Sequence, residues 1–397
     1  MMKVRRTIDL IYVDSGGGHR AAAIALADAI REQRLPWEVR LWRSQDLLAR
    51  VDFIRQYTGI DFGEIYNILL RKGWTAWSEQ LIALAHLFIR RSHGTQVRAL
   101  ERHWEEHRPD LVVSLIPHFN RAFKESLERV WPGTPFVTAM TDIADYPPHF
   151  WIERQDQWVI CGSERAAAQA REIGLAEWRI LRTSGMILNP KFYAPLNVDR
   201  AAERTRLGLR PDLPTGLVLF GGEGSMKIVE VARRLNRPDL GIQLIVICGR
   251  HAKAERRVRA LDRRIPMHIE GFTREVRRLM ALSDFFIGKP GPGAISEALA
   301  MGLPVIVEKN FLTFAHERYN ADWVVEQGAG VALRSFSRIA NAVGALLDPG
   351  RFESYRQRAA ALRNRAVFEI PGMLAGILED NTGGASVVET IAGARAR

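Results

Sequence analysis

Along the chain, short apolar runs alternate with longer stretches in which apolar residues recur every three or four positions. Apolar runs of four to seven residues bounded by glycine, proline or aspartate mark buried parallel strands. The helical recurrence marks helices lying on them. Ile8–Val13, Trp37–Trp42, Asp110–Ile116, Phe136–Met140, Gln157–Cys161 and Arg182–Met186 predict the strands of one sheet, with helices over Ala21–Gln33 and Ser163–Ile173. Gly216–Phe220, Leu244–Cys248, Met267–Glu270, Phe285–Ile287 and Val305–Val307 predict a second sheet. Its helices are expected over Met226–Leu235, Glu275–Leu282, Ala321–Gln327, Ser337–Leu347 and Phe352–Ala366, with a basic helix running through Arg264. Pro195–Pro214 mixes charge with proline, carries no strand signal and bounds the first half. The pattern predicts an α/β protein with two Rossmann-like, doubly wound parallel-sheet domains, residues 1–200 and 201–366. In 367–397, Pro371 is expected to interrupt the chain before a last apolar segment, and the end from Thr382 to be loose.

Three strand ends run into glycine. The densest is Gly288-Lys289-Pro290-Gly291-Pro292-Gly293, which neither a strand nor a helix interior accommodates. Glycines let backbone N–H groups approach an anion, and the helix that follows adds a partial positive charge. Glu297, one turn into that helix, is placed to accept two hydrogen bonds from a ribose diol; the alternative is a tight turn without a ligand. Asp14-Ser15-Gly16-Gly17-Gly18-His19-Arg20 repeats the arrangement after the first strand, and Gly221-Gly222-Glu223-Gly224-Ser225 after the first strand of the second half. His19 at a helix start is either a base kept neutral by the helix dipole or a cap for its own helix. Asp142, just past a parallel strand, points into the crevice where open sheets bind ligands, or else caps a helix.

The 397 residues are 47% apolar and 25% charged, with a net charge of +11. A chain of this length exceeds one ordinary core, and no run has the roughly 18–20 apolar residues of a membrane-spanning helix. Lys3, Arg5 and Arg6 precede an apolar run too short for a signal peptide and interrupted by Asp9, so that run reads as the first strand. Cys161 and Cys248 fit two buried thiols of a cytoplasmic protein. The basic balance calls for an anionic partner. No nucleic-acid-binding signature accompanies it, so an anionic membrane surface is expected and nucleic acid is not. Residues 73–91 carry Trp74 and Trp77, an apolar stretch, then Arg90 and Arg91. This suits a helix lying in a membrane interface, and equally a core helix between domains.

Taken in order, DSGGGHR, FGGEGS, GFTREVRRLMALSDFFIGKPGPGAISEALAMGLPVIV and FAHERYNADWVVEQGAGV resemble the motifs of monogalactosyldiacylglycerol synthases and bacterial diacylglycerol glucosyltransferases, in glycosyltransferase family 28. The resemblance spans Ile8 to about Ala366. It implies the GT-B architecture: two domains facing across a cleft, with a last helix, here Phe368–Leu378, crossing back to the first. It implies that Glu297 meets the ribose of UDP. Gly291, Gly293 and Ala294 would offer amides to the diphosphate, with Gly222 and Gly224 opposite, and Phe272 would hold the uracil. His316 and Glu317 would meet donor-sugar hydroxyls, and His19 and Asp142 would be the catalytic pair. Gly17, Gly18, Tyr146 and His149 would form the acceptor side. Two departures stand out. Pro117-His118 reverses the family's usual His-Pro, and His316-Glu317 replaces Gln-Glu or Gln-Gln, which leaves the donor sugar open.

The implied activity is inverting transfer of galactose or glucose from a UDP-sugar to diacylglycerol or a related lipid, by an enzyme attached peripherally to the cytoplasmic membrane face. No metal or other cofactor is expected for binding. The rival readings are a nucleotide-sugar epimerase or hydrolase of the same architecture, and a non-enzymatic basic membrane-binding module.

Overall fold

The computed structural model of the protein describes residues 5–14, 17–49, 78–146, 149 and 151–380. The first half comprises β1 (Arg6–Tyr12), α1 (Gly18–Glu32), β2 (Trp37–Arg43), α2 (Ser44–Leu47), α3 (Ser78–Arg91), α4 (His93–Glu106), β3 (Leu111–Ser114), α5 (Asn120–Val130), β4 (Phe136–Ala139), β5 (Trp158–Cys161), α6 (Glu164–Glu172) and β6 (Ile180–Arg182). The second comprises α7 (Arg200–Arg206), β7 (Thr215–Leu219), α8 (Lys227–Leu235), β8 (Gln243–Ile247), α9 (Ala252–Arg259), β9 (Met267–Glu270), α10 (Val276–Ala281), β10 (Phe285–Gly288), α11 (Pro292–Ala300), β11 (Val305–Glu308), α12 (Arg318–Glu326), β12 (Gly330–Leu333), α13 (Ile339–Leu346) and α14 (Pro349–Ala361). The described chain ends in α15 (Ala366–Asp380).

Each half holds a six-stranded sheet paired in parallel throughout, in the orders β2-β1-β3-β4-β5-β6 and β12-β11-β10-β7-β8-β9. Helices cover both faces, so β3, β4, β7 and β8 are buried at every residue and are mostly apolar, with one polar residue each, Ser114, Thr138, Thr215 and Gln243. The charge inside β1 has a local answer. Asp9 pairs across the ladder with Arg40 of β2, which donates two hydrogen bonds of 2.6 and 2.9 Å to its fully buried carboxylate. Strand order reverses between β1 and β3 in the first sheet and between β10 and β7 in the second. Chains leaving the carboxyl ends of strands at such a point diverge and open a crevice, where ligands of doubly wound sheets bind.

Five expectations are corrected. β6 occupies Ile180–Arg182 rather than 182–186, because Ile180 and Leu181 pair with β5 and the Thr183 hydroxyl then turns the chain by bonding Cys161 and Gly185 carbonyls. The stretch between the domains, without strand signal, holds α7, which Asp199 caps and whose buried Arg204 bonds Leu282, Pro211 and Leu213 carbonyls and Asp284. β12 went unpredicted because Gly330 opens it; a Cβ there would lie 2.0 Å from the Val305 carbonyl oxygen, so only glycine brings the edge strand close enough to pair. The basic helix α9 stops at Arg259, and α14 at Ala361. Pro371 lies inside α15 instead of breaking it. Ile370, Leu374, Ile377 and Leu378 of α15 pack with Ile8, Leu10, Leu26 and Val113, so the last helix completes the first domain's core. Trp74, Trp77 and the tail from Thr382 lie outside the described residues.

Candidate active site

The two switch points face each other across one cleft. The first domain contributes Val13, Gly18, His19 and Ala22 from the β1–α1 turn, Ile116–Phe119 from the end of β3, and Thr141 and Asp142 from the end of β4. Gly17 caps α1 in the left-handed conformation, φ 84°, which turns the chain from strand to helix and sets His19 on the first turn. His19 Nδ1 lies 2.7 Å from the Thr141 hydroxyl oxygen. Burial pushes the imidazole below its usual 6.5, against the opposing pull of the Asp142 carboxylate. His19 is therefore neutral at physiological pH, with an acceptor for a proton and a carboxylate nearby to stabilise the cation it would become. Asp142 does not bond His19. It accepts from the Trp151 indole N–H at 2.8 Å, and the Trp151 and His19 rings lie 5.7 Å apart. The expected partnership of His19 with Asp142 is thus electrostatic, and the ring's hydrogen bonds go to the Thr141 hydroxyl and the Leu115 backbone.

The facing wall is Gly221 after β7, Lys289 and Gly291–Ala294 around the start of α11, and His316–Glu317 after β11. Gly291 caps α11 with its own amide bonded to the Lys289 carbonyl, and Pro292 has no N–H, so the amides of Gly293 and Ala294 are the ones left without helical partners at the cleft. Glu297 stands one turn on from Gly293, on the same side of the helix. Among the described residues nothing hydrogen-bonds its carboxylate, and burial raises it to about 7 despite Lys191 nearby. A half-buried acceptor with no internal partner is set up for a ligand donor. Gly222 packs beside Arg250 and Phe272, and Gly224 is required by the fold itself: a Cβ there would stand 2.0 Å from the Cys248 carbonyl oxygen.

Other expected residues fall outside this cleft. Tyr146 packs on the Met140 and Trp151 cluster. His149, 52% exposed, lines a neighbouring polar cavity with His86, Ile89, Arg90, Arg154 and Glu153. His118 and Phe119 line both cavities, so the two are neighbours across these side chains. Above this junction α3 presents Leu84, Leu87 and Phe88 to solvent, 63, 62 and 47% exposed, followed by exposed Arg90 and Arg91. A helix of the core would bury that stripe. No helix among the described residues is long and apolar enough to cross a membrane, and among them no three metal-ligating side chains come together.

Sequence reasoning missed Thr141, Lys289 and Arg250 as site residues. Each carried a signal, as a polar residue just past the carboxyl end of a strand. Arg250 stacks over the half-exposed Phe272 ring, 4.0 Å from its centroid, which gives the expected base-binding position a cationic lid.

Residues 217–366 match the glycosyltransferase family 28 C-terminal domain. The chain is 28% identical over 382 residues to a probable chloroplastic monogalactosyldiacylglycerol synthase of Nicotiana tabacum, covering 91% of this chain and 69% of that one. This chain is a glycosyltransferase. The glycosyltransferase shares its fold with the S. aureus MnaA–UDP co-structure, with a TM-score of 0.62, 16% identity, and 96% and 99% of the two chains covered. It shares it also with Anabaena HepE in complex with UDP and glucose, with a TM-score of 0.55, 15% identity, and 95% and 100% covered. Its architecture is the two-domain GT-B fold, and the non-enzymatic reading is set aside.

Proposed function

We propose that the enzyme transfers a hexose from a UDP-sugar to diacylglycerol or a closely related lipid, with inversion, at the cytoplasmic surface of a membrane. The observation that carries this reading is one cleft with two unlike walls. One offers unpaired amides and a helix start, with the Glu297 carboxyl group one turn further along that helix; the other offers a neutral histidine among the apolar side chains of Val13, Ala22, Ile116, Phe119, Met186 and Ile187. The first wall suits a nucleotide diphosphate and the second a lipid alcohol. Similarity to a galactolipid synthase over 91% of this chain supports the pairing. The acceptor approaches from the side of α3, whose apolar stripe and arginines suit an anionic membrane surface.

In the reaction, the acceptor hydroxyl oxygen attacks the anomeric carbon from the side opposite the diphosphate. Its proton passes to His19, and Asp142 stabilises the imidazolium. The bond from the anomeric carbon to the phosphate oxygen breaks, its electron pair leaving with UDP. The amides of Gly293 and Ala294 and the α11 dipole stabilise that developing charge, in a binding mode that requires no metal. Incubating the protein with labelled UDP-sugars and diacylglycerol vesicles, with and without EDTA, and separating the products tests the reading. A labelled lipid insensitive to EDTA is expected; label released only as free or epimerised sugar would favour a hydrolase or epimerase.

A further inference from the structure

Among the described residues lining the cleft, Lys289 is the one with a permanent positive charge. Its position is tightly defined. A Cβ built on Gly291 would lie 3.3 Å from the lysine Cε and 3.7 Å from Nζ, and one built on Gly221 would lie 3.6 Å from Cε. The stem therefore runs between the two glycine loops, and the ammonium sits beside the start of α11. Its counter-charge is Glu317, whose Oε1 accepts from Nζ at 2.6 Å and whose side chain is 5% exposed. The backbone around the lysine is pinned as well. The Gly291 amide bonds the Lys289 carbonyl at 2.8 Å, and fully buried Asn320 donates to the Pro290 carbonyl at 2.8 Å. Residues 317–320 thus grip the 289–291 loop by a side chain and by its backbone.

We infer that Lys289 is a further catalytic residue, which neutralises the diphosphate of the nucleotide donor and exchanges Glu317 for phosphate when the donor binds. The inference rests on the nucleotide-sugar reading above and adds the charge balance of its leaving group. An ion pair taken out of water gains little net stability, because desolvation offsets the attraction, so a change of anionic partner is inexpensive. A phosphate oxygen replaces one carboxylate oxygen at the ammonium, in a corner where glycine amides already favour an anion. Glu317, once released, becomes a buried acceptor needing donors, and the hydroxyls of the attached sugar supply them. The pair keeps either charge from standing alone while the cleft is empty.

Titrations of the intact protein with UDP and with uridine test this in the parent, Lys289→Met, Lys289→Arg and Glu317→Gln, each checked for an unchanged melting profile. Lys289→Met is expected to bind UDP about 10- to 100-fold more weakly and uridine like the parent, the usual effect of losing one charge-assisted contact. Lys289→Arg recovers most of that loss, and Glu317→Gln binds UDP at least as tightly as the parent. Equal UDP binding by the parent and Lys289→Met overturns the inference. So does a loss in Glu317→Gln as large as that in Lys289→Met, which would make the pair merely structural. A parent that binds neither ligand overturns the nucleotide reading itself, and this inference with it. Should Lys289→Met fail to fold, the Arg and Gln variants decide alone.

Discussion

At the scale of single residues, His19 and Glu297 are tuned in opposite directions by the same cause. Burial disfavours charge, so it lowers a histidine and raises a carboxyl. In the proposed mechanism neutral His19 is the reactive form, present above its depressed pKa and lost as pH falls through it. The acid limb of kcat/KM should therefore have its midpoint below 6.5. His19→Ala is expected to lower turnover by ~10²–10⁴ while leaving UDP affinity nearly unchanged; a pH–rate profile with parallel calorimetry checks both. Glu297 carries a stability cost. Its folded-state value of about 7 lies above the ordinary 4.5, so the folded protein holds a proton that the unfolded chain releases, and stability falls as pH rises through that window. Glu297→Gln should melt higher than the parent at pH 8 and like it at pH 4, yet bind UDP more weakly by about 1–3 kcal/mol; thermal melts and titration read the two effects separately. Both positions were legible in the sequence because each follows a glycine turn at a helix start. Thr141, Lys289 and Arg250 were not singled out, because their contacts join chain segments remote in sequence: 122 residues separate Thr141 from His19, and 28 separate Lys289 from Glu317.

At the scale of elements, the sequence pattern located nearly every buried strand, since parallel strands covered on both faces must be mostly apolar. It failed where geometry overrode composition. Gly330 opens a strand because of a close approach, and Pro371 sits in a helix that buries Ile370 and Leu374 on the first domain. Glycines separate fold from function in the same way. Gly224, at φ 71°, has the Cys248 carbonyl where a side chain would go, whereas a Cβ on Gly293 meets nothing within 4 Å. Gly224→Ala should destabilise the second domain. Gly293→Ala should keep or slightly raise the melting temperature, alanine being the better helix former, and still lose UDP affinity by placing a methyl group where the diphosphate approaches. Melting curves beside UDP titrations make that comparison, and a Gly293→Ala protein with full UDP affinity would remove α11 from the donor site. For α3, glutamate at both Arg90 and Arg91 should reduce co-sedimentation with anionic vesicles; unchanged binding would place the membrane contact elsewhere on the basic surface.

At the scale of the whole molecule, each domain brings half of the chemistry to a switch point, and α15 ties the last stretch of chain back to the first core. The domain-level plan was legible because two successive sets of apolar runs, each with its own glycine turns, can build only two sheets of this kind. The meeting of the two walls was legible only through family resemblance, since nothing in local pattern says how two domains face each other. In the proposed reaction one displacement across this cleft joins a sugar from the second domain's side to a lipid alcohol from the first domain's side. The anomeric configuration of the product tests it most directly. With an α-linked UDP-hexose and diacylglycerol vesicles, proton NMR of the purified lipid product should show a β-glycoside, absent with His19→Ala. An α-glycoside, or sugar released to water with no glycolipid formed, would contradict the account.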